Sequence, residues 1–211
     1  GMPEGIVHSE LLRRPGKLYV LASHFHPDHF NKEILQWREQ RPDIIYIFSK
    51  DILRHRRAQK EDAVWLKKGE EYKDETLSVR AFGSTDVGVS FLLQAGGKKI
   101  FHAGDLNNWH WMDESTEAEW KGAEKNFLHE LDDLYAYTPE VDVAMFPVDP
   151  RLGKEYMRGA GQFVTKIKTH IFVPMHFTPE YAKANAFRDF AEAHGVRFVS
   201  LTHRGQKIEI E

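Results

Sequence analysis

Six residues, His24-Phe25-His26-Pro27-Asp28-His29, follow directly on the apolar run Leu18-Tyr19-Val20-Leu21-Ala22. A strand over that run repeats its side chains every two residues, so His24 and His26 point to the same side. Pro27 cannot continue the strand and turns the chain, which lets Asp28 and His29 approach from another direction. Imidazole nitrogen and carboxylate oxygen are the donors preferred by zinc and several other divalent transition metals. Two pairs of such donors on one turn suffice for two adjacent metal ions. The blander alternative is a polar loop with clustered histidines, a rare coincidence at a strand-to-helix junction.

Composition narrows what can surround this turn. A chain of 211 residues with 41% hydrophobic and 12% aromatic content supports one buried core and argues against disorder. A net charge of −3 with both signs interspersed offers no general attraction to nucleic acid or to an anionic membrane. The basic run Arg54-His55-Arg56-Arg57 reads as a solvated helix face. There is no cysteine, so disulfides, thiolate catalysis and cysteine-type zinc sites are excluded, and any metal is held by nitrogen and oxygen. No segment approaches the ~20 apolar residues of a membrane span. Gly1-Met2-Pro3-Glu4-Gly5 lacks the pattern of a signal peptide, and its leading glycine reads as a cloning scar. The expectation is a cytoplasmic protein.

Short β-rich runs alternate with amphipathic segments, without repeats or low-complexity linkers. Asn31 caps a predicted helix to about residue 40, and residues 44–48 read as a buried strand. Ser49 caps a second short helix. Strands are predicted over 76–82, 89–94 and 98–102, with Gly96-Gly97 marking a tight hairpin. Helices are predicted over 115–137, 159–168 and 180–194, and further strands over 141–146, 171–174, 197–201 and 207–210. This alternation predicts one layered α/β domain over residues 1–211.

Three later segments repeat the pattern of an apolar run that ends in a polar group. Ile100-Phe101-His102-Ala103-Gly104-Asp105 ends in a carboxylate, and Ile171-Phe172-Val173-Pro174-Met175-His176 in an imidazole. Phe82-Gly83-Ser84-Thr85-Asp86-Val87-Gly88 is a polar turn between two strands. Sites in layered α/β folds gather where strands end and loops converge.

With these residues assembled, the chain resembles the metallo-β-lactamase superfamily, whose signature is His-x-His-x-Asp-His with later histidine and aspartate ligands. His24, His26, Asp28 and His29 match that signature, Asp105 the bridging aspartate and His176 the last histidine. The resemblance runs from about residue 18 to the C-terminus and implies a four-layer αββα sandwich with the metal site at one edge of its two sheets. Gly83-Ser84-Thr85-Asp86 and Pro147-Val148-Asp149-Pro150-Arg151-Leu152-Gly153 carry a narrower likeness to uncharacterised relatives of the ascorbate-6-phosphate lactonases.

Two departures from the family pattern follow. Where many members have a Gly-His-Thr turn, Ser84 stands at the ligand position, and a serine hydroxyl is a far weaker ligand than imidazole. The first metal position is then expected to keep only His24, His26 and a share of Asp105, helped by Asp86 or water. The second keeps Asp28, His29, Asp105 and His176, so tighter binding is expected there. The His cluster also comes early, so some N-terminal strands of the first sheet are expected to be missing or supplied differently. An uncovered sheet edge invites a cover, and a homo-oligomer and a truncated gene model both answer that.

A divalent ion lowers the pKa of bound water from near 16 to roughly 7 and polarises the oxygen under attack. The reading is a metal-dependent hydrolase of a small anionic ester, lactone or phosphoester. It would use one or two divalent ions, zinc first, with manganese, iron and nickel as alternatives. Asp28 and Asp105 are the catalytic candidates, orienting water or taking its proton. Arg151 and Lys154 are candidates for an anionic substrate group. Trp109, His110 and Trp111 are candidates for the pocket mouth, His110 also as an extra ligand. His102 reads as core or supporting, and His8, His55, His129, His170, His194 and His203 as structural or surface residues. The competing readings are a phosphodiesterase or nuclease, and a non-catalytic metal- or ligand-binding protein that has lost the third histidine.

Overall fold

The apolar run before the His cluster becomes an edge strand, β1 (Tyr19–Ala22), lying parallel to β2 (Ile45–Ser49) with Tyr19 opposite Ile45. The computed structural model describes Val7 and residues 9–210. Gly1-Met2-Pro3-Glu4-Gly5 and His8 lie outside the described residues. β2 is the centre of a three-stranded parallel sheet closed by β3 (Val64–Leu66). Strands sandwiched on both faces need apolar residues at successive positions, and Tyr46, Ile47 and Phe48 are all buried.

A seven-stranded sheet packs against it. In chain order its strands are β4 (Glu71–Lys73), β5 (Ser78–Phe82), β6 (Ser90–Ala95), β7 (Lys98–His102), β8 (Glu140–Pro147), β9 (Lys168–Met175) and β10 (Arg197–Phe198). Their spatial order is β10-β9-β8-β7-β6-β5-β4, antiparallel from β4 to β7 and parallel from β7 to β10. Gly96 and Gly97 both have positive φ, 56° and 76°, as the two-residue β6–β7 hairpin requires.

Helices cover the two outer faces. The principal ones are α1 (Ser9–Leu12), α2 (Lys50–Arg54), α3 (Glu117–Tyr137), α4 (Arg158–Lys166), α5 (Tyr181–Asn185) and α6 (Arg188–Ala193). The period-2 alternation of β2 separates the layers: Tyr46 and Phe48 pack with Ile52 of α2, whereas Ile47 packs with Val79, Ala81 and Phe91 of the large sheet. Beyond the large sheet, Phe101, Phe146 and Phe172 meet Phe127 and Leu131 of α3 and Phe163 of α4. The result is helix, sheet, sheet, helix, a mixed α/β sandwich.

Several local expectations shift. The segment capped by Asn31 winds as a 3₁₀ helix, Lys32–Glu39, with the Asn31 side chain accepting the Glu33 N–H at 3.0 Å. The helix predicted over 180–194 breaks into α5 and α6. Residues 207–210 form no strand; Ile208 instead packs beside Val143, Ile171 and Val199. The short strands β3 and β4 were not anticipated.

Among the described residues, no helix is long and apolar enough to cross a membrane. Because β5, β7, β8 and β9 run in one direction, their C-terminal ends share one edge of the large sheet. The end of β1 joins them through a Val89 N–H to Ser23 C=O hydrogen bond of 3.0 Å.

Candidate metal centre

The His cluster is held by three separate fixtures. The backbone N–H groups of His29 and Phe30 donate to the His26 carbonyl at 3.0 and 2.8 Å, closing a turn after Pro27 that brings His29 back toward His24. Asp51 of α2 accepts the Phe25 N–H at 3.0 Å, and His55 stacks on the Phe25 ring at 3.7 Å. Two glycines with positive φ allow the loops to close on one another. A Cβ at Gly88 (φ +78°) would collide with the Ser23 carbonyl and the His24 Cβ. One at Gly104 (φ +56°) would come within 2.9 Å of Ser23 Cβ and the Val89 carbonyl.

Asp105, 5% exposed at the end of β7, lies between the histidines. Its Oδ2 is 3.4 Å from His24 Nε2, while Oδ1 is 3.1 Å from His29 Nε2 and 3.5 Å from His176 Nε2. Two donor groups result, each with its atoms within 4.8 Å of one another. One comprises His24, His26, Asp86 and Asp105, the other Asp28, His29 and His176. His24 Nε2 and Asp105 Oδ1 are buried without a hydrogen-bond partner.

The β5–β6 turn brings a carboxylate to the first donor group. Asp86, not Ser84, turns to the cluster: its Oδ2 is 3.7 Å from His26 Nδ1, and Ser84 Oγ accepts the Asp86 N–H at 3.4 Å. Asp86, expected as a helper at the first position, thus lies within that donor group.

His176 ends β9 in a left-handed conformation (φ +62°) that aims its ring across the strand ends. Its Nδ1 lies 2.9 Å from Asp149 Oδ2, at the end of the neighbouring strand β8. Asp149 is fully buried and receives Arg151 Nε at 3.0 Å and Nη2 at 2.5 Å. Burial alone would make the His176 imidazolium more acidic, but the Asp105 and Asp149 carboxylates outweigh it and raise its pKa to about 9. His24 is the opposite case: burial, then the neighbouring His29 and His26, lower it to about 4 against the pull of Asp105. Asp149 is held well below the usual carboxylate range; its burial opposes this, and hydrogen bonds from His176 and Arg151 prevail.

A cleft of about 270 Å³ opens over the donors, walled by Trp109, Trp111 and Arg151 and floored by Asp86, Asp105 and His176. Arg151 is therefore at the cleft, with its charge already directed onto Asp149. Lys154 is not; it is an exposed residue outside the cleft wall whose backbone N–H is 3.3 Å from Asp113 Oδ2. His110 is corrected too: it is 1% exposed, its Nε2 lies 3.1 Å from the Glu155 carbonyl, and its Nδ1 accepts the Met112 N–H at 3.1 Å. With both ring nitrogens engaged by backbone, it neither binds metal nor faces the cleft. His102 packs beneath the site and accepts the Gly104 N–H through Nδ1 at 3.1 Å. Asp149 carries no part legible in the sequence, where its only local signal is an acid before Pro150.

The sequence matches the model of a family described as a beta-lactamase superfamily domain over residues 9–177. No curated protein matches it. Among solved structures it resembles Igni18, a metallo hydrolase from the hyperthermophilic archaeon Ignicoccus hospitalis, with TM-score 0.62 and 16% identity over 94% of this chain and 82% of that one. It also resembles CmlA, a diiron β-hydroxylase from Streptomyces venezuelae, with TM-score 0.56 and 14% identity over 88% of this chain and 44% of that one. A third is Zn²⁺-bound PqqB from Methylobacterium extorquens, with TM-score 0.51 and 16% identity over 86% of this chain and 70% of that one. At such identities the likeness is one of fold.

Proposed function

The chain belongs to the beta-lactamase superfamily, and on that premise we propose that it is a metal-dependent hydrolase of a small anionic ester, lactone or phosphoester. The observation that carries this reading is the pair of unpartnered buried atoms, His24 Nε2 and Asp105 Oδ1, each facing a group of further nitrogen and oxygen donors. Buried polar atoms without partners are costly, and a cation between them removes the cost. The donors fit one or two divalent ions: His24, His26, Asp86 and Asp105 would hold the first, and Asp28, His29 and His176 with Asp105 the second. Bound there, the ions would supply Lewis acidity to the substrate oxygen and acidify water for attack at neutral pH.

The chain's own residues supply the rest. Asp28, with a side chain 72% exposed beside His29, takes the proton of the attacking water at the mouth of the site. Asp105 holds the two donor groups in register. Asp149 fixes the His176 ring so that Nε2 faces Asp105, and Arg151 orients an anionic group through the guanidinium edge left outside its pairing with Asp149. Zinc is the first choice of metal, and PqqB and CmlA illustrate that this fold takes either zinc or iron. The likeness to ascorbate-6-phosphate lactonase relatives favours a phosphorylated lactone among the substrates. Its place is the cytoplasm. The non-catalytic alternative rested on an incomplete first ligand set, and Asp86 weakens that ground.

The test is metal content followed by a panel of phosphoesters, lactones and thioesters, with and without chelator. Turnover that is lost on chelation and restored by a divalent ion is expected. Full metal occupancy with no turnover of any substrate would favour a binding protein.

A further inference from the structure

The cleft wall holds two indoles that the proposed chemistry does not use. Trp109 is fixed to the site: its Nε1–H donates to the Asp105 carbonyl at 2.8 Å, and its ring meets His176 edge-on at 5.4 Å. Trp111 lies nearly parallel to it, 17° between planes and 6.4 Å between centroids. Only half-buried, it stands at the mouth of the cleft.

Its backbone adds an independent observation. Trp111 has φ +43°, a left-handed conformation that a bulky side chain adopts only when its surroundings impose it. The restraint is visible on both sides. His110 ties the segment to the Glu155 carbonyl and to Met112 N, and the Glu114 and Ser115 N–H groups donate to the Trp111 carbonyl at 2.9 and 2.8 Å. A half-buried indole held in a strained backbone beside the donor groups is poorly explained by packing alone.

We propose that Trp111, backed by Trp109, is a platform on which a flat ring of the substrate stacks. The protein thereby prefers small ring-bearing anionic esters or phosphoesters to acyclic ones. This rests on the hydrolase reading for the reaction, though not for the binding. The cleft's charge supports it: Arg151, with its side chain 57% exposed, lines the same cleft and would meet an anionic substituent on the ring. A cleft of about 270 Å³ lies just below the usual range of small-molecule sites and suits a single ring rather than a larger ligand.

Phenylphosphonate and methylphosphonate test this without turnover, because they share an anionic group, differ by a ring and are not hydrolysed. Calorimetry on the metal-loaded full chain is expected to show phenylphosphonate binding about tenfold more tightly, the size of one aromatic pairing. Trp111→Phe keeps that preference, and Trp111→Gly removes it while leaving Tm within about 3 °C, since glycine accepts positive φ without strain. Equal binding of the two phosphonates, no binding of either, or a preference surviving Trp111→Gly would overturn the proposal. So would a large fall in Tm on Trp111→Gly, which would mark the indole as packing. If the ring preference holds and no ester of any kind is turned over, the hydrolase reading fails and the ring site stands.

Discussion

Asp149 Oδ2 lies 2.9 Å from His176 Nδ1, joining the ends of two neighbouring parallel strands directly beside the donor cluster. The ring nitrogen that faces Asp105 is thereby left as the donor, and the ring cannot turn away without breaking the contact. Outer partners of this kind typically contribute 10–100-fold to metal affinity. Asp149→Asn is therefore expected to weaken the Asp28–His29–His176 position by about that factor and to leave the first position nearly unchanged. Stepwise titration against a competing chelator reads the two separately.

Metal binding at that position carries a proton signature. A ligating imidazole must be neutral. With a pKa near 9, His176 is protonated at pH 7, whereas His24, near 4, is already neutral. Calorimetry at pH 7 in buffers of different ionisation enthalpy is expected to show about one proton released from His176 and none from His24. Affinity at this position rises between pH 7 and 9, then levels. Without metal, the raised pKa stabilises the fold fully below about pH 6.5 and by less as pH rises through 9, a loss on the order of 3 kcal/mol.

Asp86 and Ser84 separate two accounts of the first position. Asp86→Ala removes a donor near His26 Nδ1 and is expected to lower retained metal by about one equivalent after dialysis. Ser84→Ala is expected to retain full metal. Loss on Ser84→Ala alone would mean that the hydroxyl, not the carboxylate, is the ligand.

Gly88 permits the approach of the β5–β6 turn to the His loop. Gly88→Ala would drive a methyl group into the Ser23 carbonyl and the His24 Cβ at a positive φ. Unfolding in urea is expected to show a loss of about 1–3 kcal/mol, and metal retention falls with it because His24 is displaced.

Much of this architecture was legible along the chain. Strands β2 and β7 and the β6–β7 hairpin announce themselves through apolar runs and a Gly-Gly pair, which are local signals. β3 and β4 escaped because three-residue strands carry too little periodicity. Glu71-Tyr72-Lys73 also reads as polar, since its edge position needs little apolar surface. The helix predicted over 180–194 kept its apolar spacing, but spacing did not reveal the break between α5 and α6. His110 looked like a ligand beside Asp105 in sequence, yet backbone groups engage both of its nitrogens.

The sequence by itself determined the chemistry of the donors. His24, His26, Asp28 and His29 are contiguous, and the absence of cysteine leaves nitrogen and oxygen as the ligands. Only the tertiary structure decided which carboxylate completes the first group, which one steadies His176, and which aromatic rings face the cleft. Asp86, Asp149 and Trp111 lie on three separate loops, and no local pattern relates them. They meet because β5, β7, β8 and β9 end at one sheet edge, and because Gly88 and Gly104 let the loops there close to contact distance.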